Sequence, residues 1–156
     1  DLDMTRAEFA AVVVRGLGLA PESGDSLFAD VRSTDWFSSA VHTASAYGLI
    51  AGFNDGTYRP HDRITREQAM LIVSKAMIIT GLKGAESPAE AEAALSEFVD
   101  SDRVSRWAAS GVADSVSAGV VAGKDGHRLA PAQYVTRAEV AAMMQRLLQR
   151  SDLINE

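Results

Sequence analysis

One seven-residue phrase occurs three times in this chain: MTRAEFA at 4–10, ITREQAM at 64–70 and VTRAEVA at 135–141. A longer frame repeats around the last two copies. Phe28, Asp30, Trp36, Gly48, Gly52, Asp55-Gly56, Pro60 and Thr65-Arg66 recur in order as Phe98, Asp100, Trp107, Gly119, Gly123, Asp125-Gly126, Pro131 and Thr136-Arg137, always 70 or 71 residues on. Such a chain folds as copies of one supersecondary unit, each burying its apolar face on a neighbour.

Each full unit reads as two helices joined by a turn. The first helix is expected over about 36–47 and 107–118, with Gly48 and Gly119 as left-handed C′ residues. A short apolar stretch, an Asp-Gly turn and a Pro follow. The second helix begins at the Thr-Arg phrase. Its apolar residues fall at helical spacing: Val140, Met143, Met144, Leu147 and Leu148 in the last copy; Phe9, Val12, Val13 and Leu17 in the first. The first copy has no Trp helix and no Asp-Gly turn before it. Ser87 to Phe98 reads as an added helix, with Ser87 as N-cap, Pro88 at N1 and Glu90 at N3. The expected division is a half unit over 1–24, a full unit over 25–84, a linker helix over 85–97 and a full unit over 98–156. The fold class is mainly all-α.

Thr-x-x-Glu ahead of an apolar run is a capping box, in which each partner satisfies a backbone N–H of the other. Thr5 with Glu8, and Thr136 with Glu139, fit it. Gln68 takes the Glu role after Thr65. Met4, Ile64 and Val135 precede the caps and are positioned to staple to Phe9, Ala69 and Val140. The box leaves Arg6, Arg66 and Arg137 unexplained. A cation at N1 faces the positive end of the helix dipole, at a cost of about 0.3–1 kcal/mol. Two readings stand. Each Arg bridges to a nearby carboxylate such as Asp30 or Asp100, or each forms an anion site with free backbone N–H groups at the helix start.

The frame as a whole (Phe-x-Asp-Val, Trp, Gly-x-x-x-Gly, Asp-Gly, Pro, Thr-Arg-Ala-Glu) resembles the surface-layer homology (SLH) domain of bacterial cell-envelope proteins, over nearly the whole chain. The resemblance implies a pseudo-threefold bundle of helix-turn-helix repeats with short extended segments, here with the first repeat incomplete. It implies non-covalent anchoring of an exported protein, outside the cell, to the wall or surface layer of a Gram-positive-type bacterium. The partner it implies is an anionic secondary cell-wall polysaccharide, often carrying pyruvylated N-acetylmannosamine, held in grooves between repeats. The motif residues Arg6, Arg66 and Arg137 would contact the anionic sugar, beside Trp36, Trp107, Gly52, Gly123, Asp30 and Asp100.

Each carried-over residue has a plainer reading too. The Trp residues could pack in the core rather than stack on sugar. The Gly residues could serve a turn. Asp30 and Asp100 could cap short turns. Glu67, next to Arg66, is expected to weaken an anion site there. If each groove joins the Arg helix of one unit to the Trp helix of the next, Arg6 pairs with the unit of Trp36 and Arg66 with the unit of Trp107. Arg137 would then need a Trp helix the chain lacks, so at most two grooves are complete. The missing half-repeat, from another fragment or chain, is a second candidate partner.

Composition narrows the alternatives. The chain has 156 residues, 47% of them hydrophobic, enough for a real core. Its net charge of −6 argues against a nucleic-acid partner. Only Lys75, Lys83 and Lys124 are Lys among the 15 basic residues, and Arg suits carboxylates better. There is no Cys, so no disulfide scaffold and no thiolate metal site. No apolar run reaches the roughly 20 residues of a membrane span. The chain opens in mid-motif at Asp1 without a signal peptide, so a native N-terminus is not expected there, whereas the polar tail is expected to end the native protein. His42, His61 and His127 lack metal-ligand spacing and no nucleophile-elbow motif frames a Ser, so neither an enzyme nor a cofactor is expected. The Asp-Gly turns lack the ligands of an EF-hand. The main alternative function is a self-assembly or protein–protein interaction module of a surface layer, whose Arg residues bridge to a neighbour's carboxylates. A helical-repeat adaptor inside the cell is disfavoured by the Gly-rich turn.

Overall fold

The computed structural model describes residues 2–24 and 27–155. The described residues form six α-helices and one 3-10 turn: α1 (Arg6–Gly16), α2 (Ser38–Ala46), α3 (Arg66–Thr80), α4 (Pro88–Ser96), the turn Ser101–Arg103, α5 (Arg106–Ser117) and α6 (Arg137–Arg150). Among the described residues the extended segments pair only through isolated bridges. No helix among the described residues is long and apolar enough to cross a membrane. The fold is the all-α bundle expected from the repeats.

The three motif helices start alike. Thr5, Thr65 and Thr136 each complete a capping box, with Glu8, Gln68 and Glu139 respectively. Ser87 accepts from the Glu90 N–H to start α4, with Pro88 in its first turn. Gly48 and Gly119 both follow a helix at φ near +75°, 74° and 75°, where an L side chain would be strained. The first helix of the middle unit is shorter than expected. It starts at Ser38 with no side-chain cap, because the available capping carboxylate, Asp35, turns back to accept from the Arg32 N–H at 2.8 Å. Trp36 therefore stands outside α2, whereas Trp107 lies within α5.

The residue before each capping Thr carries the threefold relation. The Met4 N–H donates to the Val135 carbonyl (3.1 Å), Ile64 to Met4 (3.0 Å) and Val135 to Ile64 (3.0 Å). These bonds run round in one direction and close a ring. A second tier lies two residues on, where the N–H groups of Arg6, Arg66 and Arg137 donate to the carbonyls of Asp62, Gln133 and Leu2. Met4, Ile64 and Val135 are buried at the centre, and the core extends outward through Phe9, Phe37, Leu49, Tyr58, Met70, Leu129 and Leu147.

Around this ring, the second helix of one unit packs on the first helix of the next: α1 on α2, and α3 on α5. The α3–α5 approach is close. A Cβ on Gly111 would come within 2.8 Å of Leu71 Cδ1 and Ser74 Oγ, and the Ser115 hydroxyl donates to the Met70 carbonyl across the same seam at 2.8 Å. The matching face of α6 is open. Ala141 and Gln145 are exposed, while their counterparts Ala10, Met70, Val14 and Ser74 are buried.

Ile64 donates and accepts within the ring and is fully buried. Ile64→Ala removes its packing at the point where all three units meet. The expected loss is about 2–5 kcal/mol, read as a drop in urea midpoint with a single transition retained. A loss below about 1 kcal/mol would mean that the ring is not the structural centre.

Candidate functional site

The helix starts offer fewer free donors than the sequence suggests. In α1 and α3 the second N–H, from Ala7 and Glu67, donates to the carbonyl of Pro60 and Pro131, and the third donates to the capping Thr hydroxyl. With the first N–H taken by the second tier of the ring, the first three backbone donors of these helices are occupied. The expected pairing of an Arg fork with free helix N–H groups is therefore corrected: any positive site here is made by side chains.

Those side chains follow one geometric rule with two outcomes. Arg66 is 2% exposed. Its Nε donates to the Leu129 carbonyl at 2.7 Å, and its Nη1 donates to Glu139 Oε2. Arg137 likewise donates to Glu8 Oε2. The carboxylate that holds each of these Arg residues is thus the motif Glu of another unit, not Asp30 or Asp100. Each Glu has divided duties. Glu139 Oε1 accepts from the Thr136 N–H at 3.0 Å, and Glu8 Oε1 from the Thr5 N–H at 3.0 Å, leaving Oε2 for the Arg. Burial alone would raise the Glu8 pKa; its bonds from Thr5 and Arg137 more than offset this and leave it below the ordinary carboxylate value.

Arg6 follows the rule up to its last step. It is 7% exposed, and its Nε donates to the Tyr58 carbonyl at 2.9 Å, as Arg66 does to Leu129. The next motif carries Gln68 where Glu139 would stand. Gln68 Oε1 is used by the cap, accepting from the Thr65 N–H at 2.9 Å, so its remaining atom is an amide nitrogen and cannot accept from Arg6. The Arg6 guanidinium instead lies over the rings of Tyr58 and Phe53, 4.6 and 4.8 Å from their centroids. Burial pushes its pKa down, with Tyr58, Asp62 and Asp30 pulling the other way through space; an Arg nonetheless stays protonated. Among the described residues no carboxylate forms an ion pair with it.

Arg6 forms the floor of a groove of about 340 Å³ that also takes in Gly52, Phe53, Gln68, Leu71, Lys75 and Trp107. Arg66 lies in a groove of similar size with Gly123, Lys124, Glu139 and Arg146, and no aromatic. Arg6 does meet the unit of Trp36, through Gly52, Phe53 and Gln68, and Arg66 the unit of Trp107, through Gly123 and Lys124, but neither groove takes its own unit's Trp. Because α3 packs on α5, Trp107 stands over the outer face of α3, above Arg6. A groove is therefore built from three units: the Arg of one, the turn and second helix of the next, and the Trp of the one after. Arg6, Gly52 and Trp107 come together, and Trp36 lies apart in a hollow with Phe28, Val31 and His42. Both Trp residues are exposed rather than core, Trp36 at 63% and Trp107 at 57%.

The remaining residues singled out by sequence are tied to the framework. A Cβ on Gly52 would sit 2.3 Å from Phe28 Cε1, and one on Gly123 2.6 Å from Phe98 Cε1, so each repeated Gly lets the repeated Phe ring lie against the backbone. Asp30 and Asp100 do not act as local caps. The two oxygens of Asp30 accept from the N–H groups of Tyr58 and Arg59, each at 2.8 Å. Those of Asp100 accept from Leu129 (2.8 Å) and Ala130 (2.9 Å). Arg59 and Ala130 are left-handed non-Gly residues, at φ 58° and 48°, and the carboxylates hold that strained bend. Glu67 does not face the Arg66 groove; it accepts from the Ser105 N–H and hydroxyl at 2.9 and 2.7 Å, at the start of α5. The sequence reading missed three groove residues, Gln68 in its second role, Lys75 and Phe53. Gln68 was visible as the one departure from Glu in the fourth letter of the motif.

The S-layer homology domain model matches residues 27–70 and 97–141. Among curated relatives, the amylopullulanase of Thermoanaerobacterium thermosulfurigenes is 37% identical over 95% of this chain and 8% of its own length. The exoglucanase XynX of Acetivibrio thermocellus is 34% identical over 96% of this chain and 13% of its own. The surface-layer 125 kDa protein of Lysinibacillus sphaericus is 29% identical over 96% of this chain and 12% of its own. The chain thus spans only a small part of the length of these relatives.

The Asp100 clamp predicts an acid-dependent term in stability. Burial alone would raise its pKa, but the bonds from Leu129 and Ala130 outweigh this and hold it below the ordinary value. Its contribution is therefore full above about pH 4 and is lost as pH falls through the lower folded value. Asp100→Ala should cost about 1–3 kcal/mol at pH 7, and the variant's urea midpoint should fall less steeply than the parent's below pH 4. Parallel acid profiles would refute the clamp.

Proposed function

We propose that this chain, which belongs to the S-layer homology (SLH) domain family, anchors its parent protein to the cell wall by binding an anionic, pyruvylated secondary cell-wall polysaccharide in a groove between repeats. The family supports cell-surface anchoring in general, and its domain is a non-catalytic anchor even where the parent protein is an enzyme. The family's relatives include S-layer and cell-surface proteins of Gram-positive-type bacteria, which supports a location at the cell wall or surface layer.

The observation that carries the glycan reading is the groove over Arg6. Its floor is a buried guanidinium, its rim holds Lys75, and its wall is the exposed indole of Trp107. A pyruvyl ketal places a carboxylate on a sugar ring. The carboxylate suits the guanidinium, and the sugar's C–H face suits the indole. A volume of about 340 Å³ is at the small end for a ligand pocket and fits a terminal sugar rather than a long oligosaccharide. The self-assembly alternative asks the motif Arg residues to reach a neighbour's carboxylates. Arg66 and Arg137 already hold carboxylates of their own chain, which weighs against it.

Calorimetric titration with pyruvylated wall polysaccharide, beside the same polymer stripped of pyruvate, tests the proposal. Binding is expected only with pyruvate present. Arg6→Ala should weaken it by about 1.5–3 kcal/mol, the worth of a charge-assisted hydrogen bond. Trp107→Ala should weaken it about tenfold, and Trp36→Ala should leave it unchanged. Binding indifferent to pyruvate, or no binding by chain shown folded by circular dichroism, would sink the glycan reading.

A further inference from the structure

Building on the anchoring role proposed above, we infer that residue 68 selects the receptive groove: because Gln stands there in place of Glu, a carboxylate from outside the chain takes the position beside Arg6 that Glu139 Oε2 takes beside Arg66. The motif Glu in this fold is an internal ligand. Its first oxygen caps its own helix and its second occupies the Arg of another unit. At Gln68 the first duty is kept and the second atom is an N–H donor. Among the described residues no ion pair or hydrogen bond takes up the Arg6 Nη groups or Gln68 Nε2, and both side chains line the same groove.

The surroundings of the two Arg residues follow the same division. Arg6 is sheltered by the faces of Phe53 and Tyr58, which stabilise a cation without neutralising it. At the equivalent positions around Arg66 stand Lys124 and Leu129, which offer no ring, and Glu139 does the work as a counter-ion. The Arg66 groove keeps positive charge on its rim, at Lys124 and Arg146, but its buried guanidinium is already satisfied and its wall has no indole. An entering carboxylate there would have to displace Glu139, whereas at Arg6 no carboxylate among the described residues stands in its way. The motif thus has a self-occupied state and an open state, and among the described residues the open groove is the one at Arg6.

The exchange is testable without disturbing the fold, because the chain itself shows that Glu and Gln both complete the capping box. The probes are acetate, followed by NMR of the Arg side-chain Nε–H resonances, and the methyl glycoside of pyruvylated N-acetylmannosamine, followed by calorimetry. In the parent chain acetate should move the Arg6 resonance and leave that of Arg66 in place, and the glycoside should bind with one equivalent. Gln68→Glu should quench the Arg6 response and weaken the glycoside at least tenfold. Glu139→Gln should make Arg66 respond to acetate. Circular dichroism and melting of both variants check that the folds are kept. Equal acetate responses of Arg6 and Arg66 in the parent, or a folded Gln68→Glu variant that still shows the Arg6 response, would overturn the assignment. A parent chain whose Arg6 responds to acetate but which ignores the glycoside would instead refute the glycan reading and leave the open groove standing.

Discussion

The ring of backbone hydrogen bonds through Met4, Ile64 and Val135 is the constraint on which the rest of the molecule depends. Each extended residue donates to one neighbour and accepts from the other, so the three segments can meet only with one rotational sense. That sense fixes which loop lies over which helix start. It also consumes the backbone donors that would otherwise make those helix starts electropositive, since the next tier of N–H groups is bonded across units as well. An N1 Arg, mildly unfavourable on an isolated helix, is tolerable because its side chain is carried away from the axis into the neighbouring unit's loop, where a carbonyl receives Nε.

Arg6 and Arg66 show how one buried cation can be stabilised in two ways. A buried charge is costly unless paired. Glu139 settles Arg66 by direct pairing, and the outcome is electrically quiet. The rings of Tyr58 and Phe53 settle Arg6 by polarisation and shape, and the outcome keeps its charge. Tyr58 is committed to that role on every side: its hydroxyl donates to the Arg6 carbonyl at 3.0 Å and its N–H to Asp30 at 2.8 Å, and burial pushes its phenol up to about 12, so it stays neutral. Similar burial of the two Arg residues conceals opposite availability.

Much of this was legible in the residue order. The capping boxes, the left-handed Gly48 and Gly119 and the added helix at Ser87 are local features, set by residues within four positions of each other, and the structure has them all. What escaped the sequence was non-local. The second oxygen of Glu139 was invisible because a capping box is a complete explanation of Glu at that position and uses only one oxygen. The Asp30 clamp joins residues 28 and 29 positions apart, and Gly52 answers to the ring of Phe28 rather than to a turn. The grooves were assigned to pairs of units because the sequence carries no sign of the rotational sense; with that sense known, Trp107 rather than Trp36 stands above Arg6. The sequence left the exposure of both Trp residues open, since a repeated aromatic at the start of a helix is as consistent with core as with surface.

The three-unit make-up of the Arg6 groove has a mechanical consequence. An attachment point formed within one helix would transmit a pull to that helix alone and could peel it from the bundle. Here the floor comes from α1, one side from α3 and the Trp107 wall from α5, so the polymer proposed to seat there would pull on every unit together and direct the tension toward the central ring. Separating any unit from the others would dismantle the grip itself. Holding on and staying folded are, for such a tether, the same event.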